Sequence, residues 1–250
     1  MHARFLYPLG FGILATGLWE VLWRALRIPL WILPAPSGVM LKLYSMREYV
    51  WPHIRVTVIE VLAGFVIAFV LAITIAALVI FFEQLGWVLL PYIVIVRTIP
   101  ILAIAPLLLM WFGFGLWPKI AVVILISFFP IVINAIRGLR STDYRIMELM
   151  DSVSATRMQV FLKVRTRASL PLVFAGLKIA ITSSVIGAVV GEFIGADTGL
   201  GYLIINASTR LDTELLFSAM VLLAALGLSL FGLVAAAERY FVFWGHQEST

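Results

Sequence analysis

The chain alternates long apolar runs with short polar connections, and six of the runs reach the roughly 20 residues that a helix needs to cross a bilayer. They cover residues 5–23, 56–82, 87–111, 120–136, 172–194 and 215–244. In hydrocarbon a backbone can bond only within its own helix or a closed barrel, so these runs predict an all-α membrane protein of about six transmembrane helices. The most polar connection, 137–170, departs from the pattern. There Ile146, Leu149, Met150 and Val153, then Met158, Phe161 and Leu162, recur at helical spacing among charged residues. That spacing predicts two short amphipathic helices joined by a turn. The first connection, 27–55, carries Trp31 and Trp51 and reads as an interfacial segment, with a short helix that Ser37 caps and that runs through Tyr44.

Composition fixes the class. Of 250 residues, 63% are hydrophobic and 12% charged, and the mean hydropathy is +1.09, which excludes an ordinary soluble domain and makes 1–250 a single transmembrane domain. There is no cysteine, hence no disulfide framework, thiolate metal site or cysteine nucleophile. His2, His53 and His246 lie far apart in sequence, so no metal site is expected. The net charge of +5 does not point to nucleic acid, because the basic residues sit at span ends and in one connection, as membrane orientation requires. Arg137, Arg140, Arg145, Arg157, Lys163, Arg165 and Arg167 mark the fourth connection as cytoplasmic, which puts both termini on that side. Arg24, Arg27, Lys42, Arg47 and Arg55 in the first connection oppose this with a smaller cluster. The apolar run from Arg4 to Leu18 is followed by no Ala-x-Ala site and reads as an uncleaved first span.

Within the spans, charge and backbone irregularity select the candidate residues. Pro100 and Pro106 each remove a backbone donor from the third span, just after Arg97, so this helix is expected to kink or partly unwind along a pathway wall. An intramembrane charge needs a partner or water. Arg97 therefore faces the pathway or pairs with a carboxylate such as Glu60, and Glu192 is either a structural carboxylate or part of the path. Glu20 and Lys178, near span ends, can reach water. Ser183, Gly187, Gly191 and Gly195 form a small-residue stripe suited to close helix packing, inside one subunit or between two. The glycine-rich loop from Gly195 to Tyr202 is not a phosphate loop, for no Gly-Lys-Ser/Thr follows and no strand precedes it. No Ser/His, paired Asp or His-metal constellation supports an enzyme. Arg210, Asp212 and Glu214 form a charged outer rim on which a soluble partner could rest.

Glu148, Ser154-Ala155, the basic-apolar helix through Phe161 and Lys163, Leu170-Pro171 and Gly176-Leu177 resemble the cytoplasmic coupling loop of bacterial ABC importer permeases. The copy is imperfect. Leu149-Met150 replace two alanines, Ser154 replaces a glycine that would favour positive φ, and Thr166-Arg167 replace a Leu-Pro pair. The segments Ile28 to Ser37, Trp111 to Gly115 and Ser127 to Pro130 resemble the nitrate, sulfonate, taurine and pyrimidine-precursor group of these permeases. The resemblance implies a type I importer permease in the bacterial cytoplasmic membrane. It implies a second permease copy, identical or, given the degenerate loop, different. It also implies ATPase subunits that grip Glu148, Asp151, Ser154, Ala155, Arg157, Phe161 and Lys163, and an external solute-binding protein. Gly199 and Tyr202 would sit near the substrate path, and ATP with Mg would be bound by the ATPase, no cofactor being held by this chain. The expected cargo is a small polar or anionic solute such as a sulfonate, nitrate, bicarbonate or vitamin precursor, the last favoured by the wording at 189–192 and 211–213. The alternative, an ion-coupled secondary transporter, would usually show inverted repeats, and no second copy of the 97–106 pattern is visible.

Overall fold

The computed structural model describes residues 3–243, apart from the side chains at positions 3–6, 8 and 9. Its helices are α1 (Ala3–Leu26), α2 (Pro36–Ser45), α3 (Arg47–Phe81), α4 (Glu83–Thr98), α5 (Ile101–Phe112) and α6 (Leu116–Arg140). There follow α7 (Tyr144–Ser152), α8 (Arg157–Val160), a π-helical turn (Phe161–Arg165), α9 (Thr166–Gly195), α10 (Leu200–Thr209) and α11 (Thr213–Phe241). Among the described residues, four helices are long and apolar enough to cross a membrane, or up to five if the bent pair α4 and α5 is one span. The run 5–23 falls in α1. Trp244, the expected end of the last span, lies outside the described residues, as do His2 and His246.

Helix α6 lies between α3 and α9, and these three make the core. Residue size explains why they approach so closely. Helix α3 buries Gly64, Ala68, Ala72 and Ala76 at every fourth position, and α9 buries Gly176, Ala180, Ser184, Gly187, Ala188 and Gly191. With no hydrophobic drive between helices in lipid, such stripes supply the packing that holds spans together. A Cβ on Gly191 would stand 2.9 Å from the Lys119 Cα, and one on Gly187 3.1 Å from the Val123 Cα. The anticipated stripe thus meets α6 of the same chain, with Gly195 against Leu109 of α5. Ser183 is only half-buried, and its neighbour Ser184 makes the contact instead, a 2.7 Å hydrogen bond with Ser127.

The third apolar run is not one helix. Helices α4 and α5 meet at a bend of 99°, and with 16 and 12 residues neither is long enough to span alone. The break falls at Ile99-Pro100, where the proline drives its predecessor to an extended ψ of 125°. Pro106, expected to break the helix too, stays inside α5, as Pro91 stays inside α4. The first connection also differs in detail. Ser37 lies within α2 and does not cap it through its own side chain; its N–H and hydroxyl both donate to Glu20 of α1, at 3.1 and 2.9 Å. Glu20 therefore caps α2 from another helix while it also pairs with Arg24.

Large apolar side chains are exposed along α1, α4, α5 and α11, among them Phe11, Trp87, Met110 and Leu228. Such a surface suits lipid rather than water. The tight α6–α9 contact yields a direct expectation. Gly191→Ala should destabilise the folded protein by about 1–3 kcal/mol, as overpacking does, whereas Gly232→Ala in α11, which meets nothing within 4 Å, should leave it unchanged. Thermal unfolding of the two purified variants in detergent checks this, and equal melting temperatures would contradict the packing described.

Candidate functional site

The connection 137–170 forms the expected pair of helices. Asp143 caps α7 by accepting from the Arg145 N–H at 2.9 Å, and α8 starts on a capping box in which Thr156 and Gln159 each accept from the other's backbone N–H. Between them Ser154 takes φ +51°, the left-handed conformation that a glycine would adopt more easily. Helix α7 buries none of its residues. Tyr144, Ile146, Leu149 and Val153 are exposed, as are Glu148, Asp151, Arg157 and Lys163, and Ala155 is half-buried. Phe161 turns inward instead, its ring 4.8 Å from that of Phe81 at the end of α3. The π-helical turn joins α8 to α9, and Thr166 closes it by donating to the Phe161 carbonyl at 2.9 Å. The second arm of the hairpin and the span are therefore one continuous helix, Arg157–Gly195.

About 30 Å away along α6, at 1.5 Å per residue, a buried polar cluster ties four elements together. Glu192 of α9 is 1% exposed. It accepts from the Thr57 hydroxyl at 2.6 Å and from the Gly201 N–H. The Leu200 N–H donates to Thr57 Oγ1 at 2.9 Å, and the Gly199 N–H to His53 Nδ1 at 3.0 Å. Three consecutive free N–H groups at the start of α10 are thus satisfied by side chains from α3 and α9. Gly199 holds φ +131°, and its Cβ would collide with the Glu192 carboxyl, so only glycine fits. Tyr202 stacks on His53 at 5.8 Å. Glu60 is fully buried beside Glu192 and pairs with Lys119 at 3.0 Å; poor alignment leaves both Glu60 oxygens without a regular hydrogen bond. Lys119 therefore faces two buried acids.

A cavity of about 720 Å³ opens at the hairpin end of α6, lined by Arg97, Asn134, Arg137, Arg140 and Ser141 together with apolar side chains. Arg97 does not pair with Glu60, whose partner is Lys119; its exposed side chain faces this cavity. Nor do the anticipated path residues converge. Pro100 and Pro106 are exposed outside the cavity lining, and Glu192, Gly199 and Tyr202 belong to the buried cluster. Lys178, expected to reach water, is partly exposed and also binds Glu238 of α11 at 2.8 Å. Asp212, expected in the charged rim, caps α11 and pairs with Lys42 of α2 at 2.8 Å. The rim's Arg210 is exposed. Sequence reasoning passed over His53, Thr57 and Lys119. The signal was present in the spacing of His53, Thr57 and Glu60, which puts three polar side chains on one face of a mostly apolar helix.

An all-helical bundle with a broken helix pair and an exposed amphipathic hairpin is the architecture of a permease. The chain belongs to the family of binding-protein-dependent transport system inner membrane components, which it matches over residues 64–241. It is 37% identical over 231 residues to a probable ABC transporter permease protein of Haemophilus influenzae, covering 92% of this chain and 94% of that one. It is 32% identical to the formylaminopyrimidine transport permease protein ThiX of Halalkalibacterium halodurans, over 96% of both chains. It is 34% identical to the riboflavin transport system permease protein RibX of Chloroflexus aurantiacus, over 86% of this chain and 81% of the other. Its fold is that of a solved chain of the MetNI methionine ABC transporter in an inward-facing conformation, with a TM-score of 0.60 and 19% identity over 77% of this chain and 94% of that one. The protein is a multi-pass inner-membrane permease of an ABC importer for small solutes.

The ion pair generates the second expectation. Lys119→Met leaves two buried acids without their cation and should cost about 3–5 kcal/mol, whereas Glu60→Met combined with Lys119→Met should recover most of that loss. Unfolding of the single and double variants in a denaturing-detergent titration measures the difference; additive losses would show that the pair does not act as a unit.

Proposed function

We propose that two copies of this chain form the membrane path of an ATP-driven importer, each gripped through its α7–α8 hairpin by a cytoplasmic ABC ATPase. The observation that carries the reading is α7 itself. A helix of nine residues is marginal alone in water, and this one presents Leu149 and Val153 outward beside Glu148 and Asp151. A partner surface with an apolar groove and basic rim would cover it. ATP and Mg²⁺ would belong to that partner, since the sequence contains no phosphate loop. Both termini and the hairpin would face the cytoplasm, and a solute-binding protein would deliver cargo at the opposite rim around Arg210 and Glu214.

Alternating access would follow from the continuity of Arg157–Gly195. Displacing the hairpin would tilt α9, and α9 carries Glu192 and hence the start of α10 at the other face. The proposed cargo is a small polar or anionic solute. The names of ThiX and RibX, which specify formylaminopyrimidine and riboflavin for those proteins, support a vitamin-precursor branch.

Leu149→Asp with Val153→Asp should release the ATPase during co-purification and reduce ATP-dependent uptake into vesicles by about tenfold or more, the effect of losing buried apolar anchors. The melting temperature of the permease alone should stay the same. Uptake that persists without ATP, or a full complement of ATPase on the double variant, would overturn the reading. A cysteine at Ser152 labelled by an impermeant thiol reagent in intact cells would overturn the orientation.

A further inference from the structure

We infer that the cavity at the hairpin end of α6 is a binding site for a tetrahedral oxyanion, a phosphate or sulfonate group, held by Arg97, Arg137 and Arg140. The inference rests on the reading of this chain as an importer permease and adds a ligand chemistry to one of its walls. Three guanidinium groups line a single cavity of about 720 Å³, and no aspartate or glutamate lines it with them. None of the three has a hydrogen-bond or ion-pair partner among the described residues, although Glu20, Glu60, Asp212 and Glu238 all have cations. The buried Glu60 and Lys119 pair with each other, Glu192 accepts from Thr57 and Gly201, and Lys42, Asp212, Lys178 and Glu238 are paired as well. Here three like charges are left together.

Helix electrostatics explain part of this and leave the rest. Arg97 is in the last turn of α4, and Arg137 and Arg140 are in the last turn of α6, where the helix dipole favours cations. That preference places each arginine at a helix end; it does not aim three of them at one space without an acid. Arg97 is the telling member, because a charge at the end of an apolar helix, facing away from any carboxylate, calls for a counter-ion. The neighbours fit an oxyanion. Asn134 donates one amide hydrogen to the Pro130 carbonyl at 2.8 Å and retains a second, and the planar forks of arginine match paired anionic oxygens. The remaining walls include Leu90, Val94, Ile133 and Ile179, apolar side chains that leave the guanidinium groups and Asn134 as the polar contacts.

The anion could arrive as a soluble solute or as the headgroup of an acidic lipid, and the two sources separate in one experiment. The permease, assembled with its ATPase in nanodiscs, is treated with phenylglyoxal in chloride buffer without nucleotide, and adducts are quantified by mass spectrometry. In discs of phosphatidylcholine alone, millimolar inorganic phosphate or methanesulfonate should slow modification of Arg97, Arg137 and Arg140 by about fivefold or more, with Arg210 unaffected. If the site takes lipid, the same protection appears only when phosphatidylglycerol is included. Arg97→Gln should then weaken protection of Arg137 and Arg140. The inference is overturned if neither source protects the three, or if they are already inert in anion-free phosphatidylcholine discs, which would mean that a carboxylate of another subunit occupies the cavity. ATP-dependent uptake by the same complex, reconstituted into sealed vesicles, is measured in parallel. Its persistence without anion protection would sink this inference alone, whereas its absence would remove the transport reading beneath it.

Discussion

Two carboxyls and one ammonium buried together near one end of a helix bundle set the terms for the rest of the molecule. Glu60, Glu192 and Lys119 are almost wholly buried, on α3, α9 and α6. Ions without water are tolerated only at short range to one another and to hydrogen-bond donors. The helices therefore have to approach closely at that level, which is where Gly191 meets the Lys119 backbone and where only glycine fits at 199. The small-residue stripes and the charge cluster are one arrangement: the stripes bring the backbones near enough for the pair, and the pair fixes which faces the stripes present. Because Glu192 also accepts from the start of α10, the same constraint positions the chain beyond the span.

The other end of the bundle is built on the opposite principle. There Arg97, Arg137 and Arg140 are exposed and uncompensated, α7 buries nothing, and a large cavity separates α4 from α6. Saturated interactions favour one arrangement of the backbone, and unsatisfied ones invite a partner. The molecule thus has a rigid end and a receptive end, joined by α6 and by the continuous helix Arg157–Gly195.

Much of this was legible in the sequence, for identifiable reasons. Spans were visible because lipid demands uninterrupted apolar length, and the hairpin because amphipathic spacing stands out against an oily background. The break at Pro100 followed from its chemistry, although the survival of Pro106 inside α5 did not, since lost hydrogen bonds in a helix can be tolerated by context. Pairings were the illegible part. Glu60 could have taken Arg97 or Lys119, and only the three-dimensional register of α3 on α6 decides for Lys119. Glu20 lies near water, as its place at a span end suggests, but its capping of a helix 17 positions away is not visible in the sequence. Serine at 154 departs from the usual glycine yet holds the same left-handed turn, so the turn follows from the two caps beside it more than from the residue within it.

The packing also restricts how the two ends can communicate. Sliding α9 along α6 would drag Gly187 and Gly191 past Val123 and Lys119, whose atoms lie nearly in contact with those backbones, and would separate Ser184 from Ser127. Close-packed interfaces of this sort resist shear. Tilting about the polar cluster keeps these contacts and needs give only near the hairpin, where the π-helical turn interrupts the regular ladder between α8 and α9. The fold therefore favours a lever over a piston. In the proposed transport cycle its fulcrum would be the level at which Lys119 meets two acids, and its free arm would end at Ser154.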